Sequence, residues 1–304
     1  MRLKSIIQVV LTLTASILLL PSTGLGGEPA ASSKMASWSL RSQPASIVNG
    51  APVLFQVKPP TKLTALRGTW LGHGLTFYYD STAKTWYAFA GASLKTSAGN
   101  YPLVIAGETT KRNSVSYQRK IHVGRAKYRT VALTVAKEFT EPNPQQVEAI
   151  HKEEALKKDI FQQTSPEREW AGRFLPPVEA PVSDQFGTQR KFNGKIQSVH
   201  QGLDYHVSQG TPVSAVNAGT VILARPLFFE GNCVVLDHGQ GLMTLYLHLS
   251  EFKVKEGDVV KRGQALGLSG ATGRATGAHL HVAARWQGVY LNPATLFSIR
   301  FPGS

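Results

Sequence analysis

Glycine punctuation constrains the fold of this chain more than any other feature. From Val182 onward, glycines recur every few residues and short Val, Ile and Leu runs fill the gaps. That spacing is too short for helices and suits strands joined by tight turns. Strands are expected over residues 212–216, 219–224, 233–237, 243–247, 264–268 and 279–284, with turns at Gly257-Asp258 and Arg262-Gly263. The stretch 47–135 reads the same way. Strands are expected at 52–57, 76–79, 85–89, 102–106, 115–123 and 129–135, with a hairpin connection at 80–84. This spacing predicts a small β-sandwich-like domain whose aromatics lie in its core.

One stretch differs. Residues 145–162 lack Gly and Pro, and Val147, Ile150, Ala155, Leu156 and Ile160 form a loose apolar face, so a helix is expected there. Residues 170–181 are extended and Pro-rich. The expected fold class is therefore all-β, with a mostly antiparallel C-terminal sheet preceded by the sandwich-like domain and a short helical linker. The expected segments are an export signal over 1–26, a flexible spacer over 27–46, the N-terminal domain over 47–137, the linker over 138–181 and a C-terminal domain over 182–304.

The export signal rests on Arg2 and Lys4, the apolar run 6–20, the break at Pro21-Ser22 and the small residues Gly24 and Gly26. The apolar run is short for a spanning helix and no second segment is long enough, so no stable transmembrane anchor is expected. No Cys lies near the expected cleavage point to carry a lipid. Cys233 is the single cysteine, which excludes an intrachain disulfide. The formal charge of +14 stays strongly positive without Arg2 and Lys4. Such an exported chain is drawn to polyanionic surroundings such as an envelope polymer. No recognition-helix, zinc-finger or RNA-binding pattern is present, and nucleic acid is not an expected partner.

Most of the nine histidines fall in the C-terminal half. His279-Leu280-His281, as a strand, turns both imidazoles to one face and Leu280 to the core. Read alone, this leaves open a metal site or a pair of satisfied polar histidines. His200-Gln-Gly-Leu-Asp204 can offer a nitrogen and an oxygen to the same ion. Two nitrogens and one carboxylate oxygen form a donor set that zinc accepts, with a fourth position left for water. Tyr246-Leu247-His248 is the third element, again with i and i+2 on one strand face.

Residues 186–293 resemble the LytM/lysostaphin-type zinc metallopeptidases, peptidase family M23. The resemblance runs through Phe186-Gly187…Arg190, His200-x-Gly202-Leu-Asp204, Gly210-Thr-Pro-Val-x-Ala215, Gly219-x-Val221 and Asp237-His238-Gly239. It continues through Thr244-x-Tyr246-x-His248-Leu249, Gly257-Asp-x-Val-x-x-Gly263-Gln and Gly270-x-Thr272-Gly273, and closes at Thr276-Gly277-x-His279-Leu-His281. It covers about a third of the chain. Ala278 departs from a common Pro, and Val282-Ala283-Ala284 from a pattern with an aromatic and often an acid.

The resemblance implies Zn2+ held by His200, Asp204 and His281, with His279 and His248 as catalytic histidines. His279 is then expected to move the proton and His248 to stabilise the oxyanion, the two tasks being open to exchange. Tyr246 and Arg190 are expected to support substrate or transition state, Arg190 with a domain acid as its alternative partner. His238 is expected to support the fold, and His206 to face solvent near the site edge.

The implied function is a zinc endopeptidase cleaving peptide cross-links of bacterial peptidoglycan, at D-alanyl–diamino acid bonds, in the periplasm or cell envelope. An envelope regulatory protein bound through the N-terminal domain is a further expected partner. Two rivals remain: a non-catalytic peptidoglycan-binding or hydrolase-activating module, and a secreted enzyme aimed at competing cells.

Overall fold

The structure is a computed structural model that describes residues 37–133, 141–162, 165–192 and 195–303. The expected export signal and the first part of the expected spacer lie outside the described residues.

The N-terminal region contains β1 (Ser39–Gln43), β2 (Ile47–Val48), β3 (Pro52–Lys58), β4 (Leu63–Trp70), β5 (His73–Asp80), β6 (Thr85–Gly91), β7 (Gly99–Thr109) and β8 (Ser114–Gly124). They hydrogen-bond in the order β1-β3-β6-β5-β4-β7-β8-β2. The sheet folds over on itself at β5, whose first half pairs with β4 and whose second half pairs with β6. Phe55 on β3 therefore meets Trp70 on β4 edge to face, with ring centroids 5.2 Å apart. Leu54, Leu103 and Ile105 complete this apolar interior, all fully buried. Two expectations change. Ser39–Gln43, placed in the flexible spacer, is an edge strand in register with β3. The last strand expected for this domain, β9 (Thr130–Leu133), pairs instead in parallel with β11 (Gln189–Phe192), which also pairs with β12 (Lys195–Val199).

The helix is present as α1 (Pro144–Ile160). Pro144 supplies a pre-set φ at its start, and Asn143 and Gln146 form a reciprocal capping box. None of its residues is buried, so the expected apolar face only leans on the body. The linker beyond is extended, as expected. It lies along the C-terminal sheet, with Glu169 N–H donating to His238 O and Leu175 N–H to Val216 O.

The C-terminal sheet is built from β10 (Val182–Asp184), β13 (Leu203–Tyr205), β14 (Pro212–Ser214), β15 (Gly219–Leu227) and β16 (Gly231–Asp237). It continues with β17 (Leu242–Phe252), β18 (Val259–Val260), β19 (Ala265–Ser269), β20 (Leu280–Trp286) and β21 (Val289–Leu291). Seven strands run in the order β10-β13-β20-β17-β16-β15-β18, with β14, β19 and β21 paired off this path. A short helix, α2 (Pro293–Ser298), follows, capped by Asn292. The sequence pattern did not show it.

The two large sheets share one apolar cluster. Phe89 of β6 contacts Trp286 of β20 at 6.0 Å and Trp170 of the linker at 6.3 Å. At Gly91, an added Cβ would overlap Leu291, so the close approach of β6 to β21 requires glycine there.

Candidate metal centre

Strand pairing brings the centre together. In the β13–β20 register Asp204 lies directly opposite His281, so a carboxylate and an imidazole from positions far apart in the chain share one face. Leu280 and Val282 alternate to the other face and are fully buried. His200 stands just before β13, where its N–H donates to Thr188 O and its C=O accepts from Gly187 N–H. Gly202 lies beneath the His281 ring. A Cβ there would come within 2.5 Å of His281 Nε2, so only glycine lets the ring lie flat.

The donor atoms converge. His281 Nδ1 is 2.7 Å from Asp204 Oδ1, and His200 Nε2 is 3.0 Å from both. All three side chains are buried, and together they form a group able to hold a metal ion. Donors about 2.0–2.1 Å from a tetrahedral zinc stand roughly 3.3 Å from one another, so the trio fits such an ion after opening by a few tenths of an ångström.

An outer layer fixes these donors. His200 Nδ1–H donates to Gln185 O at 2.9 Å, with Asp184 Oδ2 3.2 Å away, which leaves the Nε2 lone pair on the metal side. Arg190 donates to Asp204 Oδ2 at 2.6 Å and to Asp184 Oδ2 at 2.8 Å. Of the two partners expected for Arg190, the structure shows the domain acid. Asp184 was not singled out in the sequence. Its position three residues before Gly187 carries no pattern, and only the fold of β10 against β13 reveals it.

The electrostatics follow this geometry. Burial raises the pKa of Asp204, but hydrogen bonds from His200 and His281 outweigh it and hold the carboxyl well below its usual range. Asp184 is lowered in the same way by His200, Arg129 and Arg190, against its own burial. Burial pushes His281 down to about 4. His200 is also pressed by burial, yet its two carboxylate neighbours raise it overall. A divalent cation among these donors would take the place of the proton that those carboxylates attract.

His248 and His279 flank the trio. Their rings lie 4.7 Å apart, and His279 Nε2 is 3.9 Å from Asp204 Oδ1. His279 precedes β20 rather than lying in it, held by an isolated bridge to Gly270. His248 interrupts β17 with φ 63°, a left-handed conformation that turns its ring toward the trio. Its Nδ1–H donates to Thr272 O at 2.8 Å, and His279 Nδ1–H donates to Gly277 O at 2.9 Å. Both Nε2 lone pairs are thereby left free. Burial, reinforced by His279 and His281, pushes His248 down to about 3.

Tyr246 lies elsewhere. It is fully buried, its hydroxyl accepting from Val216 N–H at 2.9 Å and meeting Thr244 Oγ1 at 3.1 Å, with no path to a substrate. The i and i+2 alternation fails because the positive φ at His248 breaks the strand pleat between them. His238 completes that buried chain: its Nε2 accepts from the Thr244 hydroxyl and its Nδ1–H donates to Ala218 O.

The metal face opens to a cavity of about 340 Å³ lined by Asp184, Arg190, Asp204, His248 and His279 among others. His206, exposed, stands at its rim. Arg129, Val131 and Arg274 also line it and were not anticipated; Arg129 comes from the chain between the two sheets and donates to Asp184 Oδ1. The remaining histidines are apart: His73 packs on Trp286, His122 meets Asn100, and His151 is exposed on α1.

The model of Peptidase family M23 matches residues 198–293, which contain the whole trio and both flanking histidines. The chain belongs to family M23. Zinc is the cofactor of its metallopeptidases, and the donor set here suits that ion. A Vibrio cholerae relative, peptidoglycan DD-endopeptidase ShyA, is 51% identical over 82 residues, 27% of this chain and 19% of that protein. The DD-carboxypeptidase/endopeptidase Mpg of Neisseria meningitidis is 39% identical over 121 residues, 40% of this chain and 28% of its own length. The chain thus spans under a third of these curated relatives. A solved putative peptidase M23 from Pseudomonas aeruginosa aligns over 82% of this chain and 94% of its own, with 28% identity and a TM-score of 0.62. That M23 match extends through the N-terminal sheet as well as the metal-bearing one.

Proposed function

We propose that this chain is a zinc-dependent endopeptidase that hydrolyses peptide cross-links of peptidoglycan, at D-alanyl–diamino acid bonds, outside the cytoplasmic membrane. The observation that carries the reading is the buried His200–Asp204–His281 trio opening on one side to a groove flanked by two further histidines. The relatives named for DD-endopeptidase activity share this segment and support the choice of bond. No helix among the described residues is long and apolar enough to cross a membrane.

In this reading His200 Nε2, Asp204 Oδ1 and His281 Nδ1 hold the ion. When bound, the ion lowers the pKa of a coordinated water and polarises the scissile carbonyl. Arg190 keeps Asp204 Oδ2 occupied, so that Oδ1 faces the metal. Asp184 and Gln185 O keep the proton of His200 on Nδ1. His279 and His248 each carry their proton on Nδ1, tied to a backbone carbonyl, so each offers Nε2 as a proton acceptor. His279 takes the water proton and returns it to the leaving amine. His248, neutral and with its Nε2 lone pair beside the trio, is the alternative acceptor for that proton. It donates Nε2–H to the developing oxyanion only in turnovers in which it, rather than His279, has taken the water proton. The N-terminal sheet, joined to the peptidase through a common core, either positions the groove on the wall polymer or occludes it.

Purified peptidoglycan incubated with the full chain is expected to release cross-link fragments identifiable by mass. Chelation is expected to abolish every product and added zinc to restore them. Cleavage that persists in chelator would overturn the metal reading, and fragments cut at other bonds would overturn the choice of bond.

A further inference from the structure

The left-handed backbone at His248 is held by the turn between β15 and β16. His248 N–H donates to Glu230 O at 2.9 Å, and Arg274 N–H donates to the adjacent Phe229 O at 2.9 Å. Thr272, whose carbonyl orients the His248 ring, interlocks with the same turn: its hydroxyl accepts from Asn232 N–H and donates to Leu249 O. Gly231 and Gly273 approach so closely that a Cβ on either would overlap the opposing loop. The backbone and ring of His248 thus depend on one turn.

That turn is gripped from outside by α1. Glu153 Oε2 accepts from Phe228 N–H at 2.8 Å, and Lys157 Nζ pairs with Glu230 Oε1 at 2.6 Å. Both side chains of the ion pair are mostly shielded, at 21% and 18% exposure, and Glu230 Oε2 is buried without a hydrogen-bond partner. A carboxylate placed so depends strongly on the cation it pairs with, Lys157, beside the more diffuse charge of Arg274. The helix buries none of its own residues, yet two of its charged side chains, one turn apart, reach the single turn that carries His248.

We propose that Lys157 and Glu230 are positioning residues for His248, so that the linker helix sets the geometry of a catalytic histidine it never touches. The proposal rests on the reading of His248 as catalytic, and its decisive measurement does not need activity. In the full chain, Lys157→Met and Glu230→Gln are expected to speed amide hydrogen exchange at His248 by about tenfold while leaving Leu103 in the N-terminal sheet unchanged. The same variants are expected to lower kcat about tenfold, with KM and zinc content nearly constant. Lys157→Arg is expected to restore both. Unchanged exchange at His248, a rise shared equally by Leu103, or raised exchange with wild-type kcat would overturn the proposal. A wild-type chain that cleaves no peptidoglycan would instead overturn the function, leaving the exchange result to decide the positioning.

Discussion

In the eight-stranded sheet, Thr85 is the one buried polar side chain among the described residues, whereas the ten-stranded sheet and its loops bury His200, Asp204, Asp237, His238, Thr244, His248 and His281 among others. Both sheets are glycine-punctuated and rich in Val and Leu, and both contribute to one apolar cluster. They differ in what their interiors must hold. The N-terminal interior is satisfied by shape alone, through contacts such as Phe55 on Trp70. In the C-terminal one, every buried histidine is committed to a carboxylate, a hydroxyl or a backbone carbonyl. Some of that commitment gathers the His200–Asp204–His281 group, which is able to hold a metal ion. The rest, in the run Val216–Tyr246–Thr244–His238–Ala218, ties β17 to the segments that precede β15 and follow β16. Polar burial marks where function sits, but it does not by itself separate a catalytic histidine from a structural one.

The largest expected effect breaks the C-terminal side. His281→Ala removes one of three donors, and peptidoglycan cleavage is expected to fall by roughly a thousandfold or more together with bound zinc. Wild-type hydrolysis by this variant would show that cleavage does not depend on the His200–Asp204–His281 donors and would overturn the metal reading. The N-terminal side should respond differently. Trp70→Ala empties a fully packed site and is expected to reduce unfolding free energy by about 3–5 kcal/mol in denaturant titration. Zinc content and kcat should hold wherever the variant is folded. Loss of zinc from a folded Trp70→Ala protein would show that the two interiors are coupled beyond their shared apolar cluster.

The smallest effect sharpens the boundary inside the C-terminal sheet. Burial pushes His238 down to about 4, below its ordinary 6.5. The unfolded chain therefore binds more protons here between those values, and stability falls as pH drops from 6.5 toward 4. Above 6.5 the group is neutral in both states and contributes no pH dependence. A proton on Nε2 would also face the Thr244 hydroxyl and force that chain of hydrogen bonds to reverse against Val216 N–H. The shift corresponds to roughly 3 kcal/mol. Thermal unfolding of wild type and His238→Gln across this range should show a flatter profile for the variant, with cleavage at neutral pH little changed. Parallel profiles would assign the acid sensitivity to other groups.

Much of the site was legible as local pattern. His200-x-Gly202-Leu-Asp204 and His279-Leu280-His281 name donor atoms at fixed spacings, and the strands around them follow from glycine turns and β-branched runs, because period and turn chemistry are short-range properties. The family resemblance identified His248 on the same local basis. What the chain could not state in one dimension was which strand lies beside which. Only the β13–β20 register sets Asp204 opposite His281. Only the approach of β10 to β13 brings Asp184 to His200 and Arg190, and only the left-handed backbone at His248 sends Tyr246 into the core instead of the groove. The same holds for β9, which reads as one more strand of the N-terminal sheet and instead joins β11, the strand that carries Arg190. Side-chain type and spacing were determined by the sequence itself. Long-range strand pairing, and with it the outer layer that orients each donor, was decided by tertiary packing, because hydrogen-bonding edges are chemically alike and only the whole core selects among them.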